Sequence, residues 1–320
     1  MRDAPDPVLM RDVIADLDAV VDLLVHRAPY APLGGWYNPD ADPHARTRPM
    51  WFRDDWAHAH VVVPGAEIFL CHEGYLVAAK DVFGAEVVEP TSVYVNLMTG
   101  IAEGGPAHTD NPRFHGRDRT NTPMWLLRQM LWSGLFDRYE IAQATAIWWL
   151  DDVEGGALRY WADGPGLPPR EHAAAMANSA LFGDNHGMFH QVGPVGPFEH
   201  GTRLVTPLAE LAPADDRSGE WVVTDHGEQI HRAPLSTIRV SVLWKADVYP
   251  SESERARRMS DSLSLEDVAA IFDLDLAERG VDLRLDPARF DDAGVRAALA
   301  AIYPEDLPVD ALASVFDVYA

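Results

Sequence analysis

The chain has 320 residues, of which 47% are hydrophobic and 24% charged, and a formal net charge of −24 at pH 7. That length supports a sizeable core in one large domain, or one domain with appendages. The negative field repels a nucleic-acid duplex or an anionic membrane unless a local basic patch overrides it, and the nearest such patch, "ESERARRMS", is offset by its own glutamates. No apolar run approaches the roughly 20 residues of a membrane span. Acidic residues stand where a signal peptide would carry its apolar core, and Cys71 is the only cysteine, so a cytoplasmic protein is expected.

Residues 8–25, "VLMRDVIADLDAVVDLLV", repeat apolar residues at helical spacing and predict an amphipathic helix. Residues 30–50 are rich in Pro, Gly, Asn and Asp and predict a loop. Rising β-branched content from about 60 to 98 ("HVVV", "AEIFL", "EVVEPTSVYVNLM") predicts strands, clearest where Val93, Val95 and Leu97 alternate with Ser92, Tyr94 and Asn96. In "NTPMWLLRQMLWSGLF", Thr122 as N-cap and Pro123 at the first helical position predict a helix. Strands are then expected in "EIAQATAIWWLDD" and "EGGALRYW", two short strands in "NSALFGDNHGMFHQVGPVG", a hairpin in "GEWVVTDHGEQIHR", and a long strand in "TIRVSVLWKADVY". Beyond 250 the pattern turns helical, with Ser264 and Asp267 as a capping pair before "LEDVAAIFDLDLAE" and Gly280 as a stop. The layout predicts a mainly β fold with flanking helices, a jelly roll, spanning 1–250 and carrying a helical appendage over 251–320.

The stretch "GGPAHTDNPRF" holds the chemistry. His108 and Asp110 stand two residues apart after a convincing strand, and in extended chain such residues point the same way. Thirteen histidines and fifty acids predict about two His-x-acid pairs by chance, and there are two, so context must separate them. The other, His226 and Glu228, falls at a polar hairpin tip, where a solvated face is expected. A third ligand belongs on a later strand. His190, between Phe189 and Val192, fits a strand better than His186, which follows Gly-Asp-Asn. Two histidines and one carboxylate on one face of an octahedral ion leave three positions open, as suits Fe(II) that also takes a co-substrate and dioxygen. A co-substrate carboxylate needs a fixed cation. Arg239, with Ser241 on the same face of a valine-rich strand, supplies one, and Arg203 is the competing candidate. Trp51, Arg53, Tyr94, Asn96, Arg117, Trp148 and Arg159 flank these elements as candidate pocket residues, and Arg113 with Arg117 can receive a substrate carboxylate. His58-x-His60 followed by Glu67 and Gly74 offers a cupin-like alternative with the wrong spacing.

Taken in order, His108-x-Asp110, the distal His190 and Arg239-x-Ser241 resemble the iron(II)- and 2-oxoglutarate-dependent oxygenases, over roughly residues 90–250. "VEGGALRYWADGPG" resembles the glycine-rich turn of their phytanoyl-CoA-hydroxylase-like branch, without its Gly-Ser-His ending. The resemblance implies a double-stranded β-helix, Fe(II), 2-oxoglutarate and dioxygen, with His108, Asp110 and His190 as metal ligands. It further implies Arg239, Ser241, Asn96 or Arg203 at the co-substrate, and a small-molecule substrate, an amino acid or a natural-product intermediate, against Tyr94, Arg117, Trp148 and Arg159. Related halogenases have glycine or alanine in place of the aspartate, so Asp110 implies hydroxylation, desaturation or oxidative ring closure. The stretch from His190 to Arg239 is long for the family. Either 200–232 is an insertion or Arg203 is the anchor. The alternatives are a non-catalytic jelly-roll binding or sensor protein and a cupin-like metal enzyme. Nothing in the sequence sets an oligomeric state.

Overall fold

The computed structural model describes residues 4–33, 42, 44–196, 201–216 and 218–318; positions 34–41 and 43 of the predicted loop, and 200 and 217 of the 200–232 stretch, lie outside the described residues. The first half holds β1 (Val8–Met10), α1 (Leu17–Arg27), β2 (Ala31–Pro32), β3 (Arg48–Pro49), β4 (Trp51–His58), β5 (His60–Val61), α2 (Glu67–Leu70), α3 (Glu73–Phe83), β6 (Val87–Met98), α4 (Met124–Ser133) and β7 (Gln143–Trp149). Then come β8 (Leu158–Tyr160), β9 (Arg170–His172), β10 (Ser179–Gly183), β11 (His190–Val192), β12 (Leu204–Val205), β13 (Glu210–Pro213), β14 (Glu220–Asp225), β15 (Glu228–Pro234) and β16 (Arg239–Tyr249). The chain closes with α5 (Glu252–Ser260), α6 (Leu265–Glu278), α7 (Ala293–Ile302) and α8 (Val315–Val318).

Two local expectations are corrected. The helix predicted over 8–25 begins at Leu17, where the Asp16 side chain accepts from the Ala19 N–H at 3.0 Å. Ahead of it Asp12 takes a positive φ of 49°, which breaks a helix, and Val8–Met10 instead pairs with β10. Strands predicted across 66–83 are the helices α2 and α3. Tyr75 and Ala79 bury one helical turn apart and Gly84, at φ +60°, ends α3. Short apolar runs read alike in either state, which is why composition misassigned them.

The large antiparallel sheet runs β1-β10-β7-β16-β6-β4-β2, with β5 on β4, and a second sheet runs β11-β8-β9. His108 extends the second sheet by pairing with His190, their backbones exchanging N–H···O bonds of 3.1 and 2.9 Å. In chain order the strands visit the two sheets alternately: β6 in the large one, the 108 segment in the small, β7 large, β8 and β9 small, β10 large, β11 small, β16 large. That winding is a double-stranded β-helix, the jelly roll expected from the sequence. Between β11 and β16 the chain forms a separate three-stranded sheet, β13-β14-β15.

Period-two alternation gives the large sheet two different faces. Val93, Val95, Leu97, Val240, Val242, Trp244, Ala146 and Trp148 join one core with Phe69 and Tyr75 of α2 and α3. The opposite residues, Tyr94, Asn96, Arg239, Ser241, Leu243, Lys245 and Ile147, line a cavity of about 1340 Å³ whose other wall includes Leu158, His190 and Val192. Trp148, expected against the substrate, does not line this cavity. It is fully buried on the helix side, its ring centroid 5.2 Å from that of Phe69 and its indole N–H donating to Asn178 at 3.0 Å. Trp148→Ala is expected to cost about 3–5 kcal/mol in urea unfolding while leaving ligand affinity per folded molecule unchanged. A second core joins Leu127 and Met130 of α4 to Phe272 of α6 and Leu299 of α7, so the last helices are seated on the body of the fold. Among the described residues no helix is long and apolar enough to cross a membrane.

Candidate metal centre

His108, Asp110 and His190 each offer a ligand atom, and these atoms all lie within 4.8 Å of one another, the one such cluster among the described residues. Local structure explains the convergence. Residues 108 and 190 are a hydrogen-bonded antiparallel pair, which puts both imidazoles on one side, with ring centroids 4.4 Å apart. The Asp110 N–H donates to Asn185 O at 2.8 Å, so the segment stays tied to the turn before β11. Each ring is also held in one tautomer. His108 Nδ1 lies 2.9 Å from Pro106 O and His190 Nδ1 3.3 Å from Met188 O. A carbonyl only accepts, so both Nδ1 atoms carry the proton and Nε2 is the lone-pair nitrogen in each.

The electrostatics suit a divalent cation. Burial, then the neighbouring His190, pushes His108 down to about 3, and burial likewise lowers His190, so both imidazoles are neutral at pH 7. Burial alone would raise Asp110, but Lys245 and the histidines outweigh it and the carboxyl titrates well below its ordinary range. Lys245 Nζ stands 2.8 Å from Asp110 Oδ2. This lysine was not singled out from the sequence, although it lies on the same face of β16 as Arg239 and Ser241, six and four positions on respectively. A charge at an even offset within that valine-rich strand was the available signal.

Arg239 is 3% exposed. Its Nε donates to Gly156 O at 2.8 Å and its Nη1 to Ser241 Oγ at 3.1 Å, while Nη2 is buried with no hydrogen-bond partner. No carboxylate pairs with it among the described residues, and burial lowers its pKa without bringing it near neutrality. Gly156 is required here, because a Cβ at that position would sit 2.7 Å from Arg239 Cδ at a backbone φ of +69°. A desolvated guanidinium with an open nitrogen fits the carboxylate of an oxo-acid. Asn96, opposite Ser241 in the β6–β16 register, accepts from Trp51 Nε1 at 3.2 Å on the same cavity wall.

The remaining candidates separate cleanly. Tyr94, Arg53, Arg113 and Arg117 line the cavity, Arg53 stacked 3.7 Å over the Tyr94 ring. Arg159 does not: it donates to Asp310 O at 2.8 Å and faces Glu171, because alternation on β8 turns Leu158 inward instead. Arg203 lies outside the cavity, bonded to Ile230 O beside a shallow depression with Arg46 and Glu228. His226 sits at the β14–β15 turn with φ 53°, stacked on His44. His58 and His60 face each other across the β4–β5 pairing, both exposed, and do not form a cluster with Glu67.

The class defined so far is a jelly-roll protein with a largely buried two-histidine, one-carboxylate cluster on the wall of a large cavity. Neither a family model nor a curated protein matches the sequence. Solved structures resemble the chain at low identity. An oxidoreductase of the 2OG-Fe(II) oxygenase family from Burkholderia pseudomallei is 13% identical with a TM-score of 0.42, covering 77% of this chain and 87% of its own. A prolyl hydroxylase from Trichoplax adhaerens, in complex with a peptide fragment, is 9% identical with a TM-score of 0.43, over 81% and 88%. SnoN, a non-heme alpha-ketoglutarate-dependent epimerase from nogalamycin biosynthesis, is 12% identical with a TM-score of 0.41, over 76% and 77%.

Proposed function

We propose that the protein is an Fe(II)- and 2-oxoglutarate-dependent oxygenase that oxidises a C–H bond of a small molecule with dioxygen. The observation that carries this reading is the His108/Asp110/His190 cluster, with Asp110 and His190 buried and His108 half-buried, sharing one cavity with an arginine, Arg239, whose Nη2 has no partner. The three side chains would hold the iron through the two Nε2 atoms and one Asp110 oxygen, with Lys245 on the other. Arg239 and Ser241 would grip the distal carboxylate of 2-oxoglutarate, with Asn96 beside them. Bound iron with 2-oxoglutarate and dioxygen supplies the oxidising power. The protein's part is to orient the ligands, exclude water and place the substrate against Tyr94 and Arg117. Asp110 fills the position that a halide would need, which supports hydroxylation, desaturation or ring closure as the outcome. We read 1–250 as the oxygenase unit with 200–232 inserted between β11 and β16, 251–320 as its appendage, and the location as cytoplasmic.

Anaerobic titration with Fe(II) and then 2-oxoglutarate tests metal and co-substrate together. A visible charge-transfer band at one iron per chain is the expected result. Protein that cannot be loaded with iron would point instead to a binding or sensor protein whose histidines are structural, and metal-dependent turnover without 2-oxoglutarate would point to a cupin-like enzyme.

A further inference from the structure

The charge of the cavity runs against the charge of the chain. The whole sequence has 26 lysines and arginines against 50 acids, whereas the cavity wall carries seven arginines and one lysine against four carboxylates. Most of these cations are already matched. Arg113 pairs with Asp247 at 2.8 Å, Arg53 with Asp55 at 3.1 Å, Arg128 with Glu305, and Lys245 with Asp110 at 2.8 Å. Arg239 belongs to the co-substrate.

Arg119 is exposed at the rim, which leaves Arg117, and this arginine lies along one seam with Arg258. The 115–117 loop is fastened to the turn after α5: Leu263 N–H donates to His115 O at 2.9 Å, and His115 Nδ1 lies 3.2 Å from Asp261 O. Gly116 is so close to this turn that a Cβ would fall 2.9 Å from Ser262 Cβ, at a φ of +74°. Along this seam Arg117 Nε, His115 Nε2 and Arg258 Nη1 are each buried without a hydrogen-bond partner. Arg258 spends its Nε on Glu254, and no ion pair holds Arg117 among the described residues. The two guanidinium nitrogens are donors, whereas His115 Nε2, its ring proton held on Nδ1 by Asp261 O, is an acceptor; all three residues line the cavity, whose other walls include Phe114, Met124, Ile141 and Leu243. Buried donors without partners are costly and mark a place where a ligand completes the set.

We propose that this seam is an anion seat built on Arg117 and Arg258, and that the substrate is an acidic small molecule whose carboxylate or phosphate docks there while an apolar body extends toward the metal cluster. This rests on the oxygenase reading for the word substrate, but the seat itself does not. At about 1340 Å³ the cavity exceeds the roughly 300–1,000 Å³ of an ordinary ligand pocket, which leaves room beside 2-oxoglutarate for a body larger than an amino acid.

A matched probe series tests it: 1-naphthoate, 1-naphthyl phosphate, 1-naphthol and 1-naphthylmethylamine, titrated calorimetrically into the full-length chain. The titrations are run with excess 2-oxoglutarate and again in an Arg239→Met background, so that the inner arginine contributes nothing. The anions are expected to bind at least about 10-fold tighter than naphthol, as charge-assisted bidentate contacts do, and the ratio of naphthoate to naphthyl phosphate tells which anion the seat takes. Arg117→Gln should remove most of that preference and Arg258→Gln part of it, with naphthol affinity unmoved; Arg117→Lys should retain a share. Naphthol or the amine binding as well as the anions would overturn the proposal, as would a preference that survives both glutamine substitutions. The iron titration is read separately on the same protein. A preference without a charge-transfer band keeps the seat and removes the oxygenase reading, and a band without a preference does the reverse.

Discussion

Asp110→Ala is expected to lose iron and stability together, and adding Lys245→Met is expected to restore only the stability. The carboxylate has two partners of different kinds. In the metal-free protein it neutralises Lys245 at 2.8 Å, where both groups are largely buried. Removing one member of such a pair leaves an uncompensated buried charge, which costs about 3–5 kcal/mol. Replacing the lysine as well, with an apolar side chain of similar length, takes that charge away. The double variant should therefore unfold in urea near the wild-type midpoint. Iron retention should not recover, because a facial set of three donors has been cut to two. Lys245→Met alone supplies the contrast: the three ligands remain, the orienting contact to Oδ2 is gone, and metal affinity should fall by about 10–100-fold, the range for groups that act on a ligand. A double variant that bound iron like the wild type would remove Asp110 from the ligand set. One that stayed as unstable as Asp110→Ala would mean that Lys245 is not the source of the cost.

Much of this site was legible because it obeys short-range rules. Two-residue spacing puts His108 and Asp110 on one side, and alternation along "TIRVSVLWKADVY" sorts Arg239 and Ser241 from Val240 and Val242 without any knowledge of the fold. The same rule, applied to its end, reaches Lys245. Trp148 was misplaced because alternation says which residues share a face, and not which face meets the helices. The two sides of β7 are both buried, one in the core and one toward the cavity, so composition could not tell them apart. Partnerships across long separations were not legible from local pattern; His190 joined His108 and Asp110 only through the order of the set and the resemblance it carries. The 2.9 Å contact of Leu263 with His115, and the placing of Arg258 on the cavity wall, join segments nearly 150 residues apart through packing that no local pattern encodes. For the same reason the choice between Arg203 and Arg239 was open in the sequence. It turns on which of them reaches the cavity, and three strands of a separate sheet intervene between the two.

Arg239→Met is expected to weaken 2-oxoglutarate binding strongly without weakening the apo protein, an outcome of opposite sign to that at Asp110. The guanidinium is buried with only neutral acceptors, Gly156 O, Ser241 Oγ and, at 3.9 Å, the weak acceptor Met98 Sδ, and an open Nη2. Its charge is therefore a burden in the absence of a ligand, and an unbranched apolar side chain of similar length removes that burden at the expense of two hydrogen bonds. These effects oppose each other, so the melting temperature of the apo variant should match or exceed that of the wild type. With co-substrate the order reverses. Losing one side of a buried, hydrogen-bonded charge pair costs about 2–5 kcal/mol of binding, enough to weaken 2-oxoglutarate by roughly 30-fold or more. At 100 times its dissociation constant the co-substrate stabilises the wild-type fold by about 2.7 kcal/mol, and the variant should show only a small fraction of that shift in a thermal melt. Iron alone should bind both proteins equally, since none of the three ligands touches Arg239 through any hydrogen bond among the described residues. Arg203→Met, outside the cavity, should leave every one of these measurements at the wild-type value; a loss of co-substrate binding there, with Arg239→Met unaffected, would move the anchor to the other arginine.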